Sequence, residues 1–288
     1  HLVFTTDPAR GALREIAARE GIATLDVPPD VGGRFSVLSP VGLLPAALVG
    51  IDIAALIAGA QRAIARAEEP SLRRNPAALY AGLHWAADAG LGARVHALMP
   101  YSDRLKDFAE WYRQLWAESL GKRVDRRGAE VFAGPTPVAA VGATDQHSQV
   151  QLFMEGPHDK VITLVRLGRH GEEDVRIPGR ADLPADVAYL AGHTLGELLN
   201  AECDATAGAL ARMGRMHCTL QVPELTEEAM GELLMFFQLA TGYAGVWYGV
   251  NPFDQPGVEL GKRLTFAAMG RPGFSEEPPP PAREEDTA

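Results

Sequence analysis

Four short stretches of this sequence carry polar side chains at spacings that can do chemistry. In GATDQHSQVQLF, residues 142–153, the apolar run TPVAAV gives way to Thr144, Asp145, Gln146, His147 and Ser148 before aliphatic periodicity resumes at Val150. A strand running into a helix start would leave His147 in the first turn. There it can act as a cap, as a metal ligand, or as a proton carrier near neutral pH. A metal role wants companion ligands, and no HxH, HExxH or CxxC pattern supplies them. In WYRQLWAESLGK, Gln114 and Glu118 are four apart and share one face of a predicted helix. Glu118 stands in the small and apolar run Ala117 to Leu120, where desolvation raises a carboxylate's pKa toward that of a general base. A solvated surface glutamate fits the same pattern, although a helix C-terminus disfavours negative charge.

In VGGRFSVLSPVG, two glycines ahead of Arg34 allow a close backbone approach, and the arginine offers a fixed fork of donors to an oxyanion. Turns of this kind are common. In NPFDQPGVELGK, Gln255, Glu259 and Lys262 fall at i, i+4 and i+7, roughly one helix face, after a loop, Asn251 to Asp254, that supplies N-cap chemistry. A solvated Glu–Lys face reads identically.

The elements that must position these residues alternate. HLVFTT reads as a strand and PARGALREIAAREG as a helix stopped by Gly21. A Pro- and Gly-rich loop, DVPPDVGGRF, leads to one long apolar helical region from about residue 36 to 59, and ARAEEPSLRRNP is a polar connector. Then come the strand in ARVHALMPY, a helix from Ser102 or Asp103 to Gly121, the strand TPVAAVGA, the helix DQHSQVQLFMEG and the strand KVITLVRL. The helix HTLGELLNAECDATAGALARMG, the strand MHCTLQVP, a long helix in TEEAMGELLMFFQLATGYAGVWYGV and a last one in QPGVELGKRLTFAAM follow. Strand–helix alternation predicts an α/β fold with a largely parallel sheet, in which ligands sit beyond the carboxyl ends of strands. The loop at 142–147 belongs on that rim.

With 288 residues, 47% of them hydrophobic and 22% charged, the chain has enough apolar surface for one or two domains. A formal charge of −10 argues against non-specific nucleic-acid binding, while leaving room for a small anionic substrate. The most hydrophobic region, VGLLPAALVGIDIAALIAGA, is broken by Pro45, Gly50, Asp52 and Gly59, so a buried helix is expected instead of a membrane span. Cys203 and Cys218 are sparse and not in CxxC spacing, which fits a reducing cytoplasm and no disulfide framework. There is no GxGxxG or Walker pattern to signal a nucleotide cofactor.

Together, VGGRFSVLSPVG, MPYSDRL with QLWAESLGK, GATDQHSQVQLF and NPFDQPGVELGK resemble the phosphoglucose isomerases, members of the sugar-isomerase (SIS) fold superfamily, over nearly the whole chain to about Met269. The resemblance implies a doubly wound three-layer αβα sandwich and a cytoplasmic homodimer that interconverts glucose 6-phosphate and fructose 6-phosphate with no metal or cofactor. It implies that Glu118 moves a proton between C1 and C2 and that Arg34 stabilises the enediolate. His147 and Lys262 then assist ring opening, and Gly33, Gln114 and Gln255 line the sugar-phosphate pocket. On this basis residues 1–90 are the end of a first SIS domain with connecting helices, 91–270 a second SIS domain, and 271–288 a disordered tail. The family's Ser/Thr-rich phosphate loop lies upstream of the GGR segment. Thr5 and Thr6 in HLVFTTDP align with the later strand that closes the first domain, so that loop is expected to be missing here. Two other readings stand beside this one: a non-catalytic sugar-phosphate-binding SIS module, and the isomerase half of a fused transaldolase–isomerase.

Overall fold

The computed structural model describes residues 2–172, 174–180 and 182–275, which divide into two units after Pro252. Most of the predicted tail, residues 276–288, lies outside the described residues.

The first unit opens with β1 (Val3–Thr6), α1 (Ala12–Glu20) and β2 (Ala23–Asp26). The two strands pair in parallel from Val3 with Ala23 to Thr6 with Asp26, and Gly21 ends α1 in the left-handed region at φ 66°. The strand β2 escapes sequence reading because ATLD is short and mostly exposed, with no alternation to betray it.

The single apolar helix expected over 36–59 is three pieces: a 3₁₀ turn at Gly33–Leu38, α2 (Pro40–Leu48) and the start of α3 (Ile53–Ala67). Local chemistry overrides the continuous hydrophobicity. The Ser39 hydroxyl caps α2 and Asp52 caps α3 by accepting from Ala54 N and Ala55 N, with Gly50 at φ 87° turning the chain between them. An unassigned helix, α4 (Pro76–Leu91), follows the polar connector. Its signals are present: Asn75 caps it, Pro76 opens it and Gly92 closes it at φ 72°.

Next come β3 (Val95–Pro100), α5 (Lys106–Leu120), the hairpin strands β4 (Lys122–Val124) and β5 (Glu130–Ala133), β6 (Thr136–Ala139) and α6 (Gln151–Glu155). A short 3₁₀ turn, Asp103–Leu105, starts α5, so neither Ser102 nor Asp103 caps it directly. The chain continues through β7 (Lys160–Arg169), α7 (Ala185–Ala188), α8 (Leu195–Arg212), β8 (His217–Glu224) and α9 (Glu227–Tyr248). The second unit holds α10 (Glu259–Ala268), against which the Arg271 guanidinium lies 4.3 Å from the Phe266 ring centre.

The strands β6-β3-β7-β8 form one sheet with every pair parallel, as strand–helix alternation predicts. Its period-two alternation builds two cores. Leu98, Val165 and Leu167 face Tyr112, Leu115, Trp116 and Phe237 of α5 and α9, whereas Ala97, Met99, Ile162 and Leu164 face Phe153, Cys203 and Leu210 of α6 and α8. Helices thus cover both faces, giving the three-layer αβα sandwich.

Outside the sheet, α3 and α9 cross at glycines. A Cβ at Gly59 would lie 1.8 Å from the Glu228 carbonyl oxygen, and one at Gly231 would lie 1.8 Å from that of Leu56. Backbone cannot yield as a flexible side chain can. Gly231→Ala is expected to cost about 1–3 kcal/mol by forcing the helices apart. An unchanged thermal midpoint would show that the crossing relaxes freely.

Beneath the first core lies a buried polar network. His84 Nδ1 donates to the Tyr80 carbonyl (3.0 Å), and its Nε2 meets the Thr163 hydroxyl (3.2 Å), which also meets the Tyr80 hydroxyl (3.1 Å). His96 accepts from Trp116 Nε1 at Nδ1 (3.1 Å), and its Nε2 faces the Ala93 carbonyl (3.2 Å). These partners suit two neutral rings. Burial pushes His84 down to about 4 from 6.5 and pushes His96 down as well. A histidine with its folded pKa depressed contributes stability in full above the unfolded value, and that stability is lost as pH falls through 6.5 toward 4. For His84 this is worth about 3 kcal/mol. The urea midpoint should therefore fall across that window, and His84→Gln should flatten the fall. Equal pH slopes in the two proteins would contradict the buried neutral ring.

Candidate active site

Arg34 sits in the 3₁₀ turn, and the turn is pinned from both sides. The Ser36 hydroxyl donates to the Gly33 carbonyl (2.7 Å), and Trp111 Nε1 on α5 donates to the Arg34 carbonyl (3.1 Å). This fastening directs the Arg34 side chain inward, where it is 1% exposed. Its Nε donates to Ser119 Oγ (2.7 Å), its Nη2 to the Pro252 carbonyl (2.7 Å), and its Nη1 to Glu118 Oε2 (3.3 Å). The other Glu118 oxygen, Oε1, accepts from Gln114 Nε2 at 3.0 Å, across one helical turn. Gly33 is exposed, and a Cβ there would meet nothing within 4 Å. No packing demand explains this glycine; it leaves open space beside the arginine.

The apolar surroundings expected for Glu118 are not what the fold provides. Helical neighbours in sequence point about 100° apart, so Leu120 is buried in the core while the Glu118 side chain remains 33% exposed between two polar partners. The helix C-terminus is compensated as well. Buried Lys122 donates from Nζ to the carbonyls of Glu118 (2.6 Å) and Ser119 (2.9 Å), placing a cation on the last turn of α5.

His147 takes a different position. A wide π-type turn, Gln146–Val150, replaces the first turn of the expected helix. Asp145 braces it by accepting from Val141 N and from the Ser148 hydroxyl (2.7 Å each), and Gln146 Nε2 donates to the Tyr101 hydroxyl (2.8 Å). A Cβ at Gly142 would lie 2.6 Å from the Tyr101 ring, so only glycine allows this loop to close on β3. His147 itself is exposed.

The loop lies beyond the carboxyl end of β6, as expected, but Arg34 and Glu118 do not. Because α5 runs back antiparallel to β3, its C-terminus returns to the amino end of the sheet. A Cβ at Gly134, just before β6, would lie 2.8 Å from Gly121, just after α5. His147 and Glu118 of one chain are therefore at opposite ends of the strands, roughly 20 Å apart. The fold brings together Arg34, Gly33, Gln114 and Glu118, and leaves His147 apart.

In the second unit, Lys262 Nζ pairs with Glu259 Oε1 at 2.8 Å on α10, with both side chains about half exposed. Gln255 is not on that helix face. It precedes a 3₁₀ turn, Pro256–Val258, with φ −149° and ψ 61°, because Pro256 starts a tighter turn before α10.

Sequence reading missed Trp111, Ser119, Lys122 and the Pro252 carbonyl. One of these carried a signal: Trp111 lies three residues before Gln114 and seven before Glu118, on the face that Gln114 and Glu118 mark, whereas Ser119 points about 100° away from Glu118.

This parallel three-layer α/β fold sets a carboxylate held by polar partners 3.3 Å from a buried guanidinium, an arrangement that can move a proton beside a developing oxyanion. The sequence pattern of the phosphoglucose isomerase family matches residues 21–273, and the chain belongs to that family. It is similar to glucose-6-phosphate isomerases of Rubrobacter xylanophilus, 53% identical over 94% of this chain and 61% of the relative, and of Carboxydothermus hydrogenoformans, 48% identical over 96% and 59%. Among solved structures it is similar to a hypothetical protein of Thermus thermophilus, with a TM-score of 0.85 and 47% identity over 93% of this chain and 63% of that one. It is also similar to a glucose-6-phosphate isomerase of Chlamydia trachomatis, with a TM-score of 0.81 and 26% identity over 94% and 52%. The chain thus spans about three-fifths of the length of the curated relatives. No helix among the described residues is long and apolar enough to cross a membrane.

Proposed function

We propose that this chain carries the proton-transfer centre of a glucose-6-phosphate isomerase, acting as a cytoplasmic homodimer. The observation that carries the reading is the buried Arg34 guanidinium reaching Glu118 while held by two other acceptors. Isomerisation removes a proton from C2 of the opened aldose or from C1 of the ketose, leaving a cis-enediolate, and returns it to the neighbouring carbon. Glu118 is the base, taking the proton as a carboxylic acid and giving it back. Negative charge grows on the carbonyl oxygen as the C–H bond breaks, and Arg34 meets it there. Gly33, next to Arg34, and Gln114, bonded to Glu118, are the proposed lining of the sugar-phosphate pocket. Ring opening needs a proton moved between the ring and anomeric oxygens, and His147 with Lys262 are the proposed agents.

Since His147 stands at the other end of the strands from Glu118, it serves the Glu118 of a neighbouring subunit in this proposal. Domain roles follow the same reading: 1–90 closes a first SIS domain, and 91–270 forms the second. A binding-only module has no use for a base and an oxyanion clamp side by side.

In the intact enzyme Arg34→Lys keeps the charge but loses the fork. It is expected to lower kcat about 10–100-fold in an assay of fructose 6-phosphate formation. Wild-type kcat in that variant would remove Arg34 from the mechanism.

A further inference from the structure

We infer that Ser119 is a positioning residue for the reaction: it sets the plane of the Arg34 guanidinium, so that Nη1 meets the reacting oxygen. The inference rests on the roles proposed above for Arg34 and Glu118.

Ser119 is fully buried on α5, and its Oγ accepts from Arg34 Nε at 2.7 Å. An arginine held at one nitrogen can still swing about its Cδ–Nε bond. Here a second acceptor, the Pro252 carbonyl, takes Nη2 at 2.7 Å. Two acceptors on different nitrogens fix the plane of the fork, and Nη1 is the corner that reaches Glu118. Neither acceptor is loose. Pro252 is packed onto α9, where a Cβ at Gly245 would lie 2.6 Å from the proline ring. The Ser119 carbonyl is tied to Lys122.

Position in sequence adds to the argument. Serine is an indifferent helix former that favours caps and turns, and a fully buried hydroxyl needs a partner. At 119 that partner is the guanidinium. Because Ser119 directly follows Glu118, the base and the group that aligns its clamp share one turn of one helix. Any shift of α5 carries both together, so the spacing between carboxylate and guanidinium is preserved.

A buried serine could also do nothing more than satisfy a buried donor, which would affect folding and leave chemistry alone. The two roles separate in the intact enzyme. Ser119→Ala is expected to lower kcat about 10–100-fold with KM nearly unchanged. It should weaken binding of a hydroxamate sugar phosphate, a mimic of the planar enediolate, by a similar factor. Ser119→Thr, which keeps the hydroxyl, should recover most of the loss. Titration with fructose 6-phosphate, followed by tryptophan fluorescence, counts folded binding sites, so that a loss of folded protein is not mistaken for a loss of kcat. A Ser119→Ala enzyme with wild-type kcat per folded site, beside an impaired Arg34→Lys enzyme, overturns this inference alone. Wild-type kcat in Arg34→Lys overturns the role of Arg34, and the inference with it.

Discussion

Glu118→Gln is expected to lower turnover of the intact enzyme by about 10²–10⁴-fold while fructose 6-phosphate still binds. The carboxamide is nearly isosteric: its oxygen can still accept from Arg34, and its NH₂ can donate to a flipped Gln114 amide, so the pocket keeps its shape. What disappears is the basic lone pair. An amide cannot take the C–H proton at neutral pH, and the residual rate is that of Arg34 polarising the carbonyl with water as base. The defect should therefore sit in kcat and not in KM. A rise in KM at constant kcat would recast Glu118 as a binding residue.

Mixing two inactive variants is expected to restore activity. With Glu118 and His147 at opposite ends of the strands, the proposed roles require an assembled site that takes the base from one subunit and the ring-opening histidine from another. A Glu118→Gln subunit paired with a His147→Ala subunit then has one site with both groups and one with neither. Random re-pairing makes half of the dimers mixed, so about a quarter of wild-type activity should return after co-refolding. His147→Ala should be fully impaired only with cyclic substrate, since opening the ring is the step it loses. Recovery no greater than the sum of the separate variants would mean that each chain completes its own site.

Much of this arrangement is legible in the residues. Alternating apolar strands and capped helices give the parallel sheet, because periods of 2 and 3.6 are written in the chain locally. Gln114 and Glu118 are readable as neighbours for the same reason, being one helical turn apart. What escapes is whatever depends on contacts distant in sequence. Arg34 is 84 positions from Glu118 and 218 from Pro252; nothing local in VGGRF says that its side chain is buried. The error about Glu118's surroundings has the opposite origin. Residues adjacent in sequence are not adjacent on a helix surface, so the apolar run Ala117 to Leu120 does not describe its environment. Short elements such as β2 and the β4–β5 hairpin also escape, since they pair through backbone groups and bury too little to impose a pattern. The break of the 36–59 region was available in Ser39, Gly50 and Asp52, where capping outweighs uniform hydrophobicity.

The central claim is that Glu118 carries the proton between C1 and C2 beside the Arg34 guanidinium. Running the conversion of fructose 6-phosphate in D₂O and reading the product by NMR tests it directly. A carboxylate that holds the proton during the enediolate lifetime exchanges it with solvent, so deuterium should enter at C2 of glucose 6-phosphate with the wild-type enzyme. With Glu118→Gln, the rate of that incorporation should fall in step with turnover. Deuterium entering C2 equally fast in the Glu118→Gln enzyme would contradict the account.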